Sequence, residues 1–433
     1  MGWTLTKSPW KSAFTCWTAG VALLGLAAAT PVRAAVCALD ERPGATLLLP
    51  YFEVDLDHAD GRTTLFSVNN ASATAVLANV VLWTDLGVPS FTFPLYLTGY
   101  DVQTFNLRDL FNGAMVKTAS AAQDPDDIIS PRGVHSQDVA FSSCTGFLPQ
   151  PDLPPAVRDH VRAAHIGQFS LLWNACGGQG LGDHVARGYV TVDTVSRCAT
   201  LTPADAGYFG PGGIATNQNV LWGDFFFVDP SKDYADGDNL VRLKADATAY
   251  AGKATFYGRY VSHSGADGRQ SLPPDWAARF IDGSAFTEGT DLIVWRDSGQ
   301  VVAPFPCGHP PSWYPLILAE HVIFDEEEHP YIPPVFPFSE RFPESKAQPP
   351  QPPADQIPAE ANRVRVGEQL PVPFDFGWIY LYLGAQRFVP SFGFNSLQGW
   401  VGMEMKAGGR FSVGFGATPL STGCSPSEPR SFF

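Results

Sequence analysis

Residues 91–98 read FTFPLYLT, and the pattern of this stretch indicates a β-strand. Phenylalanine or leucine occupies every second position from 91 to 97, which places these side chains on one face of an extended chain. Pro94 lacks the backbone N–H that an inner strand donates on both sides, so the strand is expected at the edge of a sheet. The stretch therefore predicts a half-buried edge strand.

The same period of two recurs before and after this stretch. The segments TLLLPYFEV, TTLFSVNN, AVLANVVLWTD and DVQTFNL are all strand candidates, and turn-forming residues separate them. Strands that recur at a spacing of roughly 8–12 residues are typical of a β-sandwich. Asp60-Gly61 predicts a hairpin between the first two strands. Residues 35–150 are therefore predicted to form an N-terminal β-sandwich-like domain.

The following region, residues 151–308, is predicted as a second β-rich domain with less regular strands. One helix is expected at Pro155–His165, because proline is well suited to the first helical turn. Asp275–Ile281 is interpreted as one or two further helical turns. The strand candidates of this region are FSLLWNAC, GYVTVDTV, VLWGDFFFV, ATFYGRYV and DLIVWRD.

Proline dominates residues 309–373, where AQPPQPPADQIPAEAN offers no apolar residue able to anchor a core. This composition favours an extended strap or linker. Order is expected to return in FDFGWIYLYL, which is apolar on both faces like a central strand. Residues 374–433 are predicted to complete the second domain. The fold class is therefore mainly β: two β-sandwich-like domains of antiparallel strands, one short helix and a proline-rich connecting segment.

The first 34 residues have the features of an export signal. Lys7 and Lys11 precede an uncharged apolar run at 19–29, and cleavage is expected after Ala34. No later segment is long and apolar enough for a membrane helix. The sequence therefore predicts a protein that crosses the inner membrane to the periplasm or the extracellular space.

The formal net charge of −15 at pH 7 limits the partners of this chain. An acidic surface repels phosphate backbones, so nucleic-acid binding is not expected. The charge is compatible with calcium or with a glycan, and another envelope protein is a further possible partner. No cofactor is expected, because no motif for one is present.

Six cysteines remain once Cys16 leaves with the signal. An even number of cysteines in an oxidising compartment predicts structural disulfides, and the sequence leaves their pairing open. The absence of Cys-x-x-Cys spacing argues against a redox dithiol or a zinc ribbon. The cysteines assigned to disulfides are Cys37, Cys144, Cys176, Cys198, Cys307 and Cys424.

Two acidic stretches are candidate cation sites. The first, DPSKDYADGDN, crowds oxygen ligands around a turn as Ca²⁺ requires. Its spacing departs from an EF-hand, however, and a solvated turn between strands is the favoured interpretation. Its candidate calcium ligands are Asp229, Asp233, Asp236 and Asp238. The second, HVIFDEEEHP, is interpreted as a strand, with only Val322 and Phe324 facing a core, that runs into an acidic surface segment. Its residues for a cation patch are Asp325, Glu326, Glu327 and Glu328.

Paired carboxylates suggest an alternative, enzymatic function. Asp224, Glu288 and Asp291 lie in or beside predicted strands, and a glycan-cleaving enzyme holds two carboxyl groups across a cleft. Tryptophan side chains on the surface would stack on sugar rings, although tryptophan in β-proteins is more often part of the core. The tryptophans in question are Trp222, Trp295, Trp378 and Trp400.

Three stretches, TLLLPYFEVDL, TTLFSVNNASATAVLANVVLWTDLGVPSFTFPLYLTGYDVQTFNLRDLF and LPVPFDFGWIYLYL, resemble a family of uncharacterised exported bacterial proteins. The N-terminal part is similar in pattern to immunoglobulin-like bacterial surface modules. The resemblance implies a bacterial envelope or extracellular protein and assigns no catalytic residue. The sequence thus predicts an exported, disulfide-stabilised protein with a non-enzymatic binding or structural role. The alternatives are a secreted polysaccharide hydrolase and a calcium-stabilised adhesion module.

Overall fold

The computed structural model of the 433-residue chain describes most of its length. The described residues are 39, 41–262, 264–283, 288–318, 320–331, 356–367, 370, 372–384, 398–407 and 411–423. The predicted signal, residues 1–34, lies outside them. All of them belong to one unit of chain contacts. In the described part of the chain, no helix is long and apolar enough to span a membrane.

The strands, in chain order, are β1 (Thr46–Asp55), β2 (Thr63–Asn70), β3 (Val76–Thr84), β4 (Pro89–Leu97), β5 (Val102–Asn106), β6 (Val185–Val195), β7 (Leu221–Trp222), β8 (Asp224–Asp229), β9 (Tyr234–Asn239), β10 (Val241–Leu243), β11 (Asp275–Ile281), β12 (Thr290–Arg296), β13 (Leu316–Ile317), β14 (Glu320–Phe324), β15 (Pro330–Tyr331), β16 (Gln356–Ile357), β17 (Ala361–Arg365), β18 (Phe376–Tyr382), β19 (Gly399–Ala407), β20 (Phe411–Gly416) and β21 (Thr418–Pro419). The helices are α1 (Leu107–Phe111), α2 (Pro155–His165) and two 3-10 turns at Ser142–Cys144 and Pro230–Lys232.

These strands form four antiparallel sheets and one small two-stranded pair, β13-β16. The first sheet has the order β10-β1-β6-β3-β4, and the second has β5-β2-β8-β9 with β7 also paired to β2. The third is β17-β12-β19-β20, and the fourth is β15-β14-β18-β11-β21. Different sheets contact each other where β1 meets β2 and β12, β9 meets β20, and β11 meets β19. The predicted mainly β, sandwich-like fold class is therefore confirmed.

Several elements lie where the alternation predicts them. All five N-terminal strand candidates are strands, and β4, which contains Pro94, is an edge strand of the first sheet. The helix at Pro155–His165 is present with the predicted bounds. FDFGWIYLYL supplies β18, the central strand of the fourth sheet. A short helix, α1, was not predicted.

Other predictions of local structure are wrong. Asp275–Ile281 is the strand β11, because pairing with β18 and β21 overrides its weak helical pattern. FSLLWNAC and ATFYGRYV form turns instead of strands. Asp60-Gly61 does not close a hairpin, because β1 and β2 belong to different sheets.

The strand β4 is buried on both faces and not on one as expected. Tyr96, on the face opposite Phe93 and Leu95, is fully buried. It packs in a second apolar cluster with Cys144 and Tyr208, whose segments cover this outer face of the first sheet. The long connections between strands therefore form a further layer over the outer face of the first sheet. The alternation of residues within one strand cannot indicate such a layer.

Part of the proline-rich region belongs to the sheets. Residues 332–355 lie outside the described part of the chain, but β16 and β17 follow them. Ile357 and Ala359 are almost fully buried in the main core, so the expectation that this segment lacks an apolar anchor is wrong. The strand β17 pairs with β12 along its full length.

Two of the expected disulfides are formed in the described residues. Cys144 is bonded to Cys198, and Cys176 is bonded to Cys307. The remaining candidates, Cys37 and Cys424, lie outside the described residues. The disulfide framework is therefore confirmed for four of the six cysteines.

Candidate functional site

A cavity of about 970 Å³ opens between the first and third sheets and the loops beside them. Its wall contains Glu53 of β1, Arg187 of β6, Asp291 of β12 and two arginines of β17, Arg363 and Arg365. Charged side chains from separate sheets therefore converge on one concave surface, as expected of a ligand site.

Strand register places these groups opposite one another. Asp291 lies directly across from Arg365 on β17 and from Glu404 on β19, so the three form a row across the third sheet. On the first sheet Glu53 lies directly across from Arg187. Because side chains alternate along a strand, Arg363 shares the face of Arg365. The two sheets thus present their charges to each other.

Arg363 is the centre of the charged cluster. Its Nε lies 3.2 Å from Glu53 Oε1, and its Nη1 lies 2.9 Å from Asp291 Oδ2 and 2.5 Å from Glu404 Oε2. The guanidinium also lies over the ring of Phe227, 4.8 Å from the centroid. One arginine therefore joins carboxylates from two sheets, and ion pairs of this kind are tolerated in a core because each charge has partners.

Asp291 is held ionised by several cations. Burial alone would raise the pKa of its carboxyl, but the charges of Arg363 and Lys406 outweigh this effect and hold the pKa well below the usual range. Lys406 Nζ lies 2.5 Å from Oδ2, and Arg365 Nε donates to Oδ1. A carboxylate in this state is a fixed acceptor and is poorly suited to donate a proton.

Glu53 has a similar environment on the opposite side of the cavity. Burial acts to raise its pKa, but Arg363 and Arg62 lower it well below the usual range. Arg62 Nη1 lies 2.7 Å from Oε2, and the Tyr51 hydroxyl donates to Oε1 over 2.6 Å. The oxygen atoms of Glu53 and Asp291 are therefore all occupied by donors of the cluster.

The arginines, and not the acids, are the accessible charges of this cluster. The exposed fractions of the Arg365, Arg62 and Arg187 side chains are 28%, 21% and 20%. Those of Glu53 and Asp291 are 7% and 2%. A molecule that enters the cavity therefore meets guanidinium N–H groups before it meets these carboxylates, although Asp183 at the rim engages Arg187 with two hydrogen bonds.

Asp85 adds a titratable group to the wall. Burial raises the pKa of this carboxyl to about 7, while hydrogen bonds to its oxygens, including the N–H of Gln179 at 3.1 Å, act in the opposite direction. Below neutral pH the group is therefore largely uncharged, which leaves the arginines less compensated. Its backbone carbonyl accepts the N–H of Glu360, which ties this wall to the segment before β17.

The remaining wall is apolar or glycine-rich. Leu86, Phe305 and Tyr314 line it, and the Tyr314 hydroxyl donates to the Leu86 carbonyl over 2.7 Å. The disulfide Cys176–Cys307 links the loop after α2 to the segment that contains Phe305. The cavity thus combines a guanidinium-lined region with an uncharged one.

The predicted catalytic carboxylates are in different surroundings. Asp291 is in the charged cluster, Asp224 on β8 accepts a hydrogen bond from Ser67 over 2.7 Å, and Glu288 is in a turn before β12. Among the described residues no hydrogen bond or ion pair links the three. Only Asp291 lines the cavity.

The predicted calcium ligands are spread over β8, the following turn and β9. Asp229 lies 3.9 Å from Arg62 Nε, and Asp233 is exposed in the turn with a positive φ of 50°. Asp236 and Asp238 share the inner face of β9, where burial followed by the charge of Glu404 raises the pKa of Asp236 to about 7. Within the described ranges, no three His, Cys, Asp or Glu side chains are grouped to hold a metal ion.

HVIFDEEEHP forms a strand and a turn, as interpreted. The strand is β14, and the residues that follow, Asp325, Glu326, Glu327 and Glu328, turn the chain into β15. The expectation that only Val322 and Phe324 face a core is wrong, because His321 and Ile323 are also buried. Both faces are covered because Ile323 packs in the main core, whereas Val322 and Phe324 pack in a separate apolar cluster with Tyr380 and Tyr382.

The sequence-based search missed the two arginines of β17. Residues 361–366 read ANRVRV, in which Arg363 and Arg365 alternate with apolar positions as in a strand with one polar face. Because prolines dominate the residues before this stretch, the whole segment was interpreted as an extended linker, and the alternation was not interpreted as a strand. The alternation that indicates a strand was present in the sequence, but only pairing with β12 places the two arginines beside Asp291.

No protein-family model, curated protein or solved structure matches this chain.

Proposed function

We propose that this chain is an exported, disulfide-stabilised protein of the bacterial envelope or extracellular space that binds a small organic anion in the arginine-lined cavity. The single observation that carries the proposal is that Arg62, Arg187 and Arg365 are partly exposed at the cavity, whereas Glu53 and Asp291 are buried and paired. A guanidinium presents planar pairs of N–H donors that match the oxygens of a carboxylate. The export route rests on the predicted signal and agrees with the two disulfides.

The charge of the whole molecule supports a site of this kind. A chain with net charge −15 repels anions from most of its surface. The cavity lining holds four arginines and four carboxylates, but three of the arginines are partly exposed and, of the carboxylates, only Asp183 is. The wall at Leu86, Phe305 and Tyr314 adds apolar contact area for the organic part of the ligand. We infer a ligand with a carboxylate group and an uncharged body.

Substitution of Arg365 by Gln tests the proposal. The probes are acetate, succinate, citrate, benzoate and glucuronate, titrated into the purified protein by calorimetry. We expect at least one to bind, and we expect Arg365→Gln to weaken it about tenfold or more, because a charge-assisted hydrogen bond is lost. Asp291 keeps Arg363 and Lys406 in this variant, so the fold is preserved.

Arg279→Gln is the matched control. Arg279 also lies on a strand, β11, but its side chain is exposed and does not line the cavity. We expect this variant to bind the probe as the unaltered protein does. The proposal is overturned if no probe binds, or if Arg365→Gln and Arg279→Gln have the same affinity.

A further inference from the structure

A second feature of the molecule lies apart from the cavity, on the outward face of the second sheet. Trp222 of β7 and Phe226 of β8 are 40% and 44% exposed, although both are large and apolar. Phe225 and Phe227 point to the opposite side and are buried in the core. Because side chains alternate along a strand, Asp224 shares the outward face with Trp222 and Phe226. Two exposed aromatic rings therefore flank one carboxylate.

Polar side chains on the neighbouring strands β2 and β5 lie beside Asp224 across the sheet. Ser67 of β2 donates a hydrogen bond to Asp224 Oδ1 over 2.7 Å. Thr104 of β5 lies directly across from Ser67 and is exposed. The face thus has a polar strip of a carboxylate and two hydroxyl groups between the positions of Trp222 and Phe226.

Asn69 supports the polar strip from the neighbouring position on β2. It lies directly across from Trp222 on β2 and is 3% exposed. Its Nδ2 donates to Ser67 Oγ over 3.1 Å, and Ser67 Oγ in turn donates to Asp224 Oδ1. The buried amide therefore fixes the orientation of the hydroxyl beside the carboxylate.

We propose that this aromatic face (Asn69, Ser67, Thr104, Trp222, Asp224 and Phe226) binds a neutral polysaccharide. Aromatic rings offer flat apolar surfaces for the C–H faces of sugar rings, and the polar strip offers acceptors and donors for sugar hydroxyls. Trp222 and Phe226 are four positions apart in extended chain, about 13 Å, which is long enough for consecutive sugar units of a polysaccharide.

The charge of the aromatic face favours a neutral polysaccharide over a polyanionic one. The six residues of the aromatic face include a carboxylate and no lysine or arginine, and the whole chain is acidic. A polyanionic glycan would be repelled by Asp224, whereas a neutral glycan donates hydroxyl hydrogen bonds to it. The proposal is independent of the cavity, because none of these six residues lines it.

The experiment measures retention of the purified protein on insoluble cellulose, β-1,3-glucan and starch, with a soluble oligosaccharide of the retained type for affinity. We expect one of these glycans to retain the protein, and Trp222→Ala and Phe226→Ala each to weaken binding about tenfold or more. Phe169→Ala is the matched control, because Phe169 is also an exposed phenylalanine but lies in the loop after α2. Near-ultraviolet circular dichroism checks that each variant is folded.

Three outcomes overturn the proposal. The first is that no glycan of the panel retains the protein, and the second is that Phe169→Ala binds as weakly as Trp222→Ala. The third is a dimer in sedimentation experiments that Trp222→Ala dissociates, since the face would then be an interface between two copies. Arg365→Gln should bind the glycan normally, so failure of this proposal and failure of the cavity proposal are distinguishable.

Discussion

At the residue scale, Arg363 explains why so many charges are tolerated inside this protein. An isolated buried charge is very unfavourable, but Arg363 has carboxylate partners from β1, β12 and β19 and aromatic rings beneath it. Each carboxylate has a second cation: Arg62 for Glu53, and Lys406 for Asp291. With the interior charges so paired, Arg62, Arg187 and Arg365 at the cavity remain partly exposed.

His165 makes the stability of the protein depend on pH. Its ring is buried between Phe52 and Phe111, and burial lowers the pKa to about 4, while a hydrogen bond to the Arg187 carbonyl acts in the opposite direction. In the unfolded chain the pKa of this imidazole is about 6.5, so the contribution of the buried, neutral ring to stability is fully present above pH 6.5. It is lost as pH falls from about 6.5 to 4, by up to about 3 kcal/mol.

The variant His165→Gln removes this titration. We expect its free energy of urea unfolding to change less between pH 7 and pH 4 than that of the unaltered protein, because glutamine stays neutral. His135→Gln serves as the control, since His135 is exposed and its variant should keep the full pH dependence. Parallel curves for the unaltered protein and His165→Gln would contradict the assignment.

At the scale of elements, the alternation of apolar and polar residues predicted correctly those strands that have an apolar face of their own. It failed for segments whose conformation is determined by the strands or loops that they contact. The five N-terminal strands and β18 carry the pattern in their own residues. The strand β11 lacks this pattern, because Ala277 and Ala278 weaken the alternation. Its extended conformation comes from pairing with β18 and β21. ATFYGRYV has strand-like residues, but Asp267 accepts the Tyr257 N–H and holds a turn.

The disulfide Cys176–Cys307 is expected to hold the cavity walls together. Both of its ends lie beside wall segments, which are otherwise joined here by two backbone hydrogen bonds between Cys176 and Phe305. Replacement of both cysteines by serine should therefore weaken binding of the best carboxylate probe several-fold. It should also cost about 2–4 kcal/mol of stability, measured by urea unfolding.

The other disulfide is the control for this prediction. Cys144 and Cys198 tie down the segments that cover the outer face of the first sheet, and neither lines the cavity. Its double serine variant should lose stability in the same range and bind the probe with unchanged affinity. An equal loss of affinity in both double variants would mean that the Cys176–Cys307 bond has no special role at the site.

At the scale of the whole molecule, the sequence predicted the fold class but not the convergence of the site. Composition and period indicate antiparallel sheets, since those depend on local patterns. The cavity brings together residues far apart in the chain, Glu53, Arg187 and Arg363 among them, and their meeting depends on how four sheets pack. The Asp85 pKa near 7 depends on the same packing. No local pattern encodes these distances.

The main core gives a test of the predicted division into domains. Leu48 of β1 and Leu292 of β12 lie in different predicted domains, yet both are fully buried in one continuous apolar cluster. A shared core should unfold as a unit, so we expect a single calorimetric transition of the disulfide-intact protein. Leu48→Ala and Leu292→Ala should each cost about 2–5 kcal/mol and shift that same transition. Two transitions, each lowered by only one of the variants, would show instead that the predicted domains unfold independently.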